Sequence, residues 1–305
     1  MDFFYRKKQW YAGQFVKKVT PKIEIDPKIA MYFTVILNKQ REKLLSVLVR
    51  DIDEAFNSSS VELPFLNGKI NFSYMEKFIE ELEAERIEEL EAYLITTGLS
   101  DYKLTKEDEK VLDKFDKMLD NALDRQTDRQ TDKIRLGDIF DIRPTKSYNL
   151  TNHELFSKNG EIPVVTNTSF NNGVGGYSKL EPTEKGNMIT YSDTTTDSGM
   201  FYQPNDYIGY SHIQGFYPKD QKVYSKNELL YFLTCFRVTA RGRFDYGTKF
   251  NRTNAKKLTI ELPVKNEEID TDFMKRFISV VEKLVIKDVV LWADKKIEAS
   301  KKVIK

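Results

Sequence analysis

The 305 residues include one cysteine, Cys235, and two histidines, His153 and His212, so thiol and soft-metal chemistry have little to work with. One cysteine excludes an internal disulfide. The histidines are far apart and lack cysteine partners, so no zinc site is expected. The surroundings of Cys235, YFLTCFRV, predict a buried structural thiol. Long apolar runs are missing too. None approaches the roughly 20 residues of a membrane span. The N-terminal MDFFYRKKQWYAGQF has no apolar centre and no small-residue cleavage site, so a cytoplasmic protein with no membrane association is expected. GVGG (173–176) is not followed by GKS, GKT or GxGxxG. An Asn-Pro-Pro-aromatic methyltransferase motif is absent. EPTEK (181–185) only faintly resembles a nuclease carboxylate–lysine set. No catalytic centre and no bound cofactor are expected.

Charge is present in quantity but unevenly placed. The total of +1 does not point to nucleic acid. Residues 76–120, however, are rich in Glu and Asp, while 237–257, RVTARGRFDYGTKFNRTNAKK, sets many Lys and Arg against a single Asp. A near-neutral sum can hide a basic face. With 40% apolar and 31% charged residues, the composition suits a globular protein long enough for two domains.

An internal repeat organises the chain. FYRKKQWYAGQFVKKVTPK (4–22) lies against FYQPNDYIGYSHIQGFYPK (201–219) at an offset of 197, with Trp10 facing Tyr207. The offset then becomes 199 and stays there. MYF (31–33) matches LYF (230–232), VELPF (61–65) matches IELPV (260–264), and YMEKFIEELE (74–83) matches FMKRFISVVE (273–282). Residues 1 to about 95 and 200 to about 295 are thus read as copies of one unit. The second copy is preceded by 133–199. The first has no counterpart of that segment and is read as truncated at its N-terminal side.

Apolar spacing of three and four predicts a helix over 72–95, with Met75, Phe78, Ile79, Leu82, Leu90 and Leu94 on its face. Ser73 and Glu76 suggest a capping box, and Gly98 a terminator. A second acidic helix is expected over 106–123. A third is expected over about 271–300, with Met274, Phe277, Ile278, Val281, Leu284, Val285, Val289 and Trp292 on one seam. The long helices are expected to pair. Between them KIRLGDIF, EIPVVTNTSF, GNMITYS, QKVYS and KKLTIELPV are β-prone runs separated by turn residues, and 226–238 reads as a helix. The fold class is α+β: mixed or mostly β domains joined by long antiparallel helices.

KIRLGDIFDIRPTK (133–146), IPVVTNTSFNNGV (162–174), a helix, and NAKKLTIELPV (254–264) closing into a long helix together resemble the target-recognition domain of type I restriction–modification DNA-specificity subunits. EAERIEELEAYLITTGLSDYKLT (83–105) resembles the spacer helix of that family and of related fused type II systems. The resemblance covers nearly the whole chain. It implies two recognition domains held apart by paired helices, each reading half of a bipartite duplex-DNA site. It also implies methyltransferase and restriction subunits as partners, with S-adenosylmethionine, ATP and magnesium belonging to those partners and not to this chain. The expected layout is a truncated first recognition domain (1–70), spacer helix and linker (71–132), a complete second recognition domain (133–265) and a C-terminal spacer helix (266–305). A homodimer would be one way to replace the missing half.

Residue chemistry suggests where DNA would be touched. Phosphates call for Lys and Arg; base edges call for Asn, Gln, Arg, Ser or Thr. One cluster, TNTSFNNGVGGYS, supplies Asn167, Thr168, Asn171, Asn172 and Tyr177. A second, RVTARGRFDYGTKFNR, supplies Arg237, Arg241, Arg243, Tyr246, Lys249 and Arg252. Lys146, Thr195, His212 and Gln214 are further candidates. The duplicated DRQTDRQTD (124–132) is polar on every side, and if helical each copy adds about 6 Å, suiting a spacer between half-sites. The competing reading is a scaffold that binds methyltransferase subunits, or a second copy of itself, with little DNA affinity.

Overall fold

The computed structural model describes residues 2–123, 130–194, 199–244 and 250–303. The first six residues of the DRQT repeat, 124–129, lie outside the described residues, as do the candidates Thr195, Tyr246 and Lys249. The chain divides into two compact units, residues 1–100 with 288–305, and residues 101–287. No described helix is long and apolar enough to cross a membrane.

In the first unit, residues 2–26 carry no regular element. Helix α1 (Pro27–Lys39) starts where Asp26 accepts the Ile29 N–H and Pro27 presets the first turn. Short helices α2 (Arg41–Leu45) and α3 (Ile52–Asn57) follow. A two-residue turn joins β1 (Phe65–Leu66) to β2 (Lys69–Ile70), and α4 (Phe72–Thr96) leaves it. The expected 72–95 helix is therefore present, but its cap is Asn71, whose side chain accepts the Tyr74 N–H, not Ser73. It ends as predicted: Gly98 takes φ +72° and donates to the Ile95 carbonyl. Met75, Ile79 and Leu94 are buried.

The second unit opens with α5 (Lys106–Leu123), then β3 (Thr131–Arg135), α6 (Leu136–Ile139) and β4 (Phe140–Pro144). Thr131 and Asp132 already pair with Pro263 and Leu262, so the end of the DRQT repeat is strand. After α7 (Asn152–Leu155), β5 (Ile162–Val165) and β6 (Val174–Ser178) form a hairpin. Strands β7 (Met188–Ser192), β8 (Met200–Gln203) and β9 (Ile213–Pro218) join β4 in an antiparallel sheet ordered β4-β9-β7-β8. Helix α8 (Lys226–Ala240) covers it with Phe232 and Phe236 against Phe140, Phe216 and Tyr191. Helix α9 (Arg252–Lys257) leads to β10 (Thr259–Lys265), which pairs with β3 and turns into β11 (Glu268–Ile269). QKVYS is not a strand: Ser225 caps α8 in a reciprocal pair with Glu228. Strands β6, β8 and β9, and β4 beyond Phe140, were not among the predicted runs; glycines interrupt the apolar pattern of β6 and β9, and LGDI of the predicted run KIRLGDIF is helix α6.

Helix α10 (Thr271–Val303) begins in the second unit and ends in the first. Within the second unit it runs antiparallel to α5. Lys283 meets Asp108 near the start of α5, while Phe277 stacks on Phe115 and Asp270 holds Lys114 midway along it. The predicted seam holds only in part. Met274 and Ile278 are buried, but Leu284, Val285, Val289 and Trp292 are exposed, and Val290 and Ala293 are buried instead.

The repeat is reproduced bond by bond. Phe65↔Ile70 and Leu66↔Lys69 pair as Val264↔Ile269 and Lys265↔Glu268 do. Asn67 and Gly68 take positive φ, as do Asn266 and Glu267. The Asn71 N–H donates to the Pro64 carbonyl and the Asp270 N–H to that of Pro263. Asn71 caps α4 as Asp270 caps α10. Tyr32 meets Phe78 edge-on at 5.5 Å, and Tyr231 meets Phe277 edge-on at 5.8 Å. Every one of these pairs is related by 199 positions.

Candidate nucleic-acid interface

The four-stranded sheet decides which predicted residues meet. Because β7 and β9 are antiparallel with Ser192 opposite Ile213, and Gln214 stands opposite Pro144, one sheet end gathers the close of β4, the close of β7 and the start of β9. Thr145 fastens this end, its N–H donating to the Ile213 carbonyl at 2.9 Å. Lys146 therefore comes together with His212 and Gln214, which stand two residues apart in another stretch of the chain.

Asp193, which sequence reasoning passed over, is the hub of this end. Its carboxylate accepts from Gln214 Nε2 at 2.9 Å and lies 3.1 Å from His212 Nδ1. His212 is held at φ +66°, which throws its ring outward, and more than half of its side chain is exposed. Burial first, and then the Asp193 charge, push the Tyr191 hydroxyl above the ordinary tyrosine range, with Arg252 opposing. Phe250, two residues before Arg252, packs on Tyr191 with ring centroids 5.0 Å apart. The buried Tyr191 hydroxyl and the Gln214 carbonyl oxygen make no hydrogen bond to protein. Asp193 stood in SDTTTDSG without a partner nearby in sequence; only strand register supplies His212 and Gln214.

Arg237 is engaged within the fold. Its guanidinium donates to the Met200 carbonyl at the start of β8 and lies over the Phe201 ring at 5.5 Å. That bond fixes the end of α8 beside the start of β8, and exposed Arg241 and Arg243 follow directly. Arg143, also unpredicted, stacks over the Tyr217 ring at 3.7 Å on the adjoining strands.

The Asn-rich cluster sits elsewhere. Asn172 donates to the Tyr202 carbonyl at 2.8 Å and accepts from Gln203 through its own carbonyl, so it covers the free edge of β8 at the strand's far end. Asn171 and Asn172 take positive φ, which their short polar side chains tolerate. The Thr168 hydroxyl accepts the Phe170 N–H in a local turn, Asn167 keeps a buried, unpartnered carbonyl oxygen, and Tyr177 is half exposed on β6. The two predicted clusters approach each other at Phe201: a Cβ on Gly173 would meet its ring at 3.0 Å, and Arg237 lies over it at 5.5 Å. Cys235 is packed against the core, and burial pushes its thiol up to about 12. Among the described residues no group of three His, Cys, Asp or Glu is placed to hold a metal ion.

A family model described as the type I restriction modification DNA specificity domain matches residues 1–92 and 129–289. The chain is 21% identical over 291 residues to the specificity subunit S.BcgI of a type II restriction enzyme from Heyndrickxia coagulans, spanning 93% of this chain and 75% of that protein. Among solved structures, the S subunit of the type I restriction–modification system from M. genitalium is similar at 16% identity and a TM-score of 0.49, over 92% of this chain and 71% of that one. The HsdS subunit from Thermoanaerobacter tengcongensis is similar at 14% identity and a TM-score of 0.37, over 72% and 52%. With most of its residues matched by the family model, the chain belongs to the type I restriction–modification DNA-specificity family and is a non-catalytic specificity subunit of a restriction–modification system.

Proposed function

We propose that the chain grips duplex DNA with the basic end of the second unit's sheet and so directs methyltransferase and restriction subunits to a chosen sequence. The observation that carries this reading is the meeting of Lys146, His212 and Gln214 beside Asp193 at one sheet end, with Arg237 tying α8 to the start of β8 and the exposed Arg241 and Arg243 following it in the chain. In this reading Arg241, Arg243 and Lys146 contact phosphates, and His212, oriented by Asp193, presents a ring edge to a groove. Asn171, beside β8, and Tyr177, on β6, are further contacts in this reading. S-adenosylmethionine, ATP and magnesium belong to the partner subunits. On α10, Val285, Val289 and Trp292 recur at spacings of four and three and are exposed. That apolar stripe is the surface we assign to a methyltransferase subunit.

The test is equilibrium binding to duplex DNA at several salt concentrations, with and without the methyltransferase subunit. Each lost phosphate contact lowers the slope of log affinity against log salt by about 0.9. Arg241→Ala with Arg243→Ala should reduce that slope by about 2 and weaken all sequences alike. A slope equal to wild type removes the assignment. His212→Ala should change which sequences are preferred while leaving the slope within about 0.3.

A further inference from the structure

The loop between β5 and β6, TNTSFNNG (166–173), is polar or glycine at every position but one. The exception, Phe170, is 80% exposed. A lone exposed ring needs no explanation when it rides on a slack surface loop. This loop is not slack. The Phe170 N–H donates to the Thr168 hydroxyl at 3.2 Å, and the Phe170 carbonyl accepts the Gly173 N–H at 3.0 Å. The Thr166 N–H closes the loop by donating to the Gly173 carbonyl at 2.7 Å. Asn171, Asn172 and Gly173 follow one another at φ +48°, +54° and +78°. Asparagine visits this region as a single residue, and three left-handed residues in a row need the surroundings to hold them. Asn172 supplies the hold: it donates to the Tyr202 carbonyl and accepts from Gln203, which also donates to the Thr190 hydroxyl inside the sheet. The backbone carrying the ring is thus fixed from both sides while the ring itself stands in solvent.

The loop adjoins the basic end of α8. Gly173 and Arg237 meet on the Phe201 ring, and the exposed Arg241 and Arg243 follow Arg237 in the chain. Around Phe170 the loop offers only hydroxyls, amides and glycine. Anchors of protein–protein interfaces cluster together, so a single ring in this setting is poorly suited to that use. Duplex DNA suits it better. Phosphates take the arginines, and an apolar side chain inserted at a base step replaces the stacking that it breaks.

We propose that Phe170 is a wedge that enters a groove of the duplex and stacks on the bases of one step while Arg241 and Arg243 hold phosphates nearby. The inference rests on the DNA reading above and adds to it a residue and a mode of contact. The Phe170 side chain has no hydrogen-bonding group, so it reads a step by the energy needed to open it. Pyrimidine–purine steps open most readily, and the preference at that position is for one of these. The fixed loop makes the wedge effective, because little ordering is left to be done when the ring enters.

The test uses the full chain with its methyltransferase subunit. The probes are duplexes that this complex selects from a random-sequence pool, carrying 2-aminopurine at successive adenine positions. Unstacking raises 2-aminopurine emission, so one step should brighten on binding and stay dark with Phe170→Ala. Brightening that survives Phe170→Ala belongs to a base moved by the methyltransferase. Phe170→Ala should weaken binding about tenfold, the loss of one base–aromatic stack. Its salt slope should stay within about 0.3 of wild type, because no phosphate contact is lost. Phe170→Trp should keep both the affinity and the brightening. Sequences selected by Phe170→Ala should lose the pyrimidine–purine preference at that step. Arg241→Ala with Arg243→Ala, measured alongside, separates two failures. A lowered slope in that variant, with wild-type affinity or fully surviving brightening in Phe170→Ala, overturns the wedge alone. A slope equal to wild type removes the DNA reading and the wedge with it. Loss of methyltransferase binding by Phe170→Ala in the absence of DNA makes the ring a protein contact and also overturns the proposal.

Discussion

The two units use the same closing elements in different company. From the helix pair through the hairpin to the long helix, the first unit repeats the second down to single hydrogen bonds: Asn71 to Pro64 and Asp270 to Pro263, Tyr32 on Phe78 and Tyr231 on Phe277. They part at the sheet. Strand β10 extends over seven residues because β3 pairs with it, whereas Val61–Pro64, the match of Ile260–Pro263, has no ladder. Helix, cap and hairpin turn are local and form in either setting. Strand order is not local, and an unpaired backbone remains loop.

Charge diverges along with pairing. Glu42 and Leu44 stand at the positions matched to Arg241 and Arg243, and Asp53 at that matched to Arg252. Leu44 is buried, and Asp53 binds Lys17 at 2.8 Å. The groups that would meet phosphate in the second unit are therefore acidic or internal in the first.

The comparison can be broken at matched positions. The largest difference is expected from Phe216→Ala against Val19→Ala. Removing a fully buried sheet aromatic costs about 3–5 kcal/mol, while the exposed valine costs under about 0.5. Local unfolding free energies from hydrogen exchange would show it, and similar losses at both sites would contradict the assignment of a buried sheet in the second unit and an exposed segment in the first. Met75→Ala and Met274→Ala test the shared half. Both side chains are fully buried, so each should cost about 2–5 kcal/mol. A negligible loss at Met75 would mean that the first unit's core is not built like the second's. A smaller effect is expected at the caps. Asn71→Ala should cost about 1 kcal/mol. Asp270→Ala should cost more, since Asp270 also holds Lys114 at 2.9 Å.

Acid should loosen the second unit's helix pair. The Thr105 N–H, and then Lys283, hold Asp108 below the usual carboxylate range. Burial would raise Asp270, but Lys114 and the Phe273 N–H outweigh it and keep it low. Carboxylates depressed on folding contribute stability that is fully present above their unfolded value of about 4 and is lost as pH falls through the folded one. Protection factors along α5, which divide out the intrinsic pH dependence of amide exchange, should therefore fall below about pH 4 and change little from 5 to 8. Asp108→Asn with Asp270→Asn should flatten that dependence.

The sequence was most legible where structure is local. The three long helices, the Gly98 stop and the repeat could be read from spacing and composition. The Ser73 cap was misplaced because Asn71, two residues earlier, also fits an N-cap and closes the hairpin as well. The outer seam of α10 was read as buried because spacing reveals a stripe, not what covers it. In the candidate site, residue types could be named from the sequence, but their placement could not. Arg237 looked like a phosphate ligand, yet it ties α8 to Met200. Asp193 carried no signal until strand register set His212 and Gln214 against it.

The most direct test of the account is to exchange residues 131–265 for the corresponding segment of another family member, leaving the rest of the chain unchanged, and to select bound duplexes from a random-sequence pool in the presence of the methyltransferase subunit. The account predicts that the selected sequence switches to that of the donor. Selection of the parent chain's sequence by the exchanged protein would contradict it, because sequence choice would then reside outside the second unit's sheet.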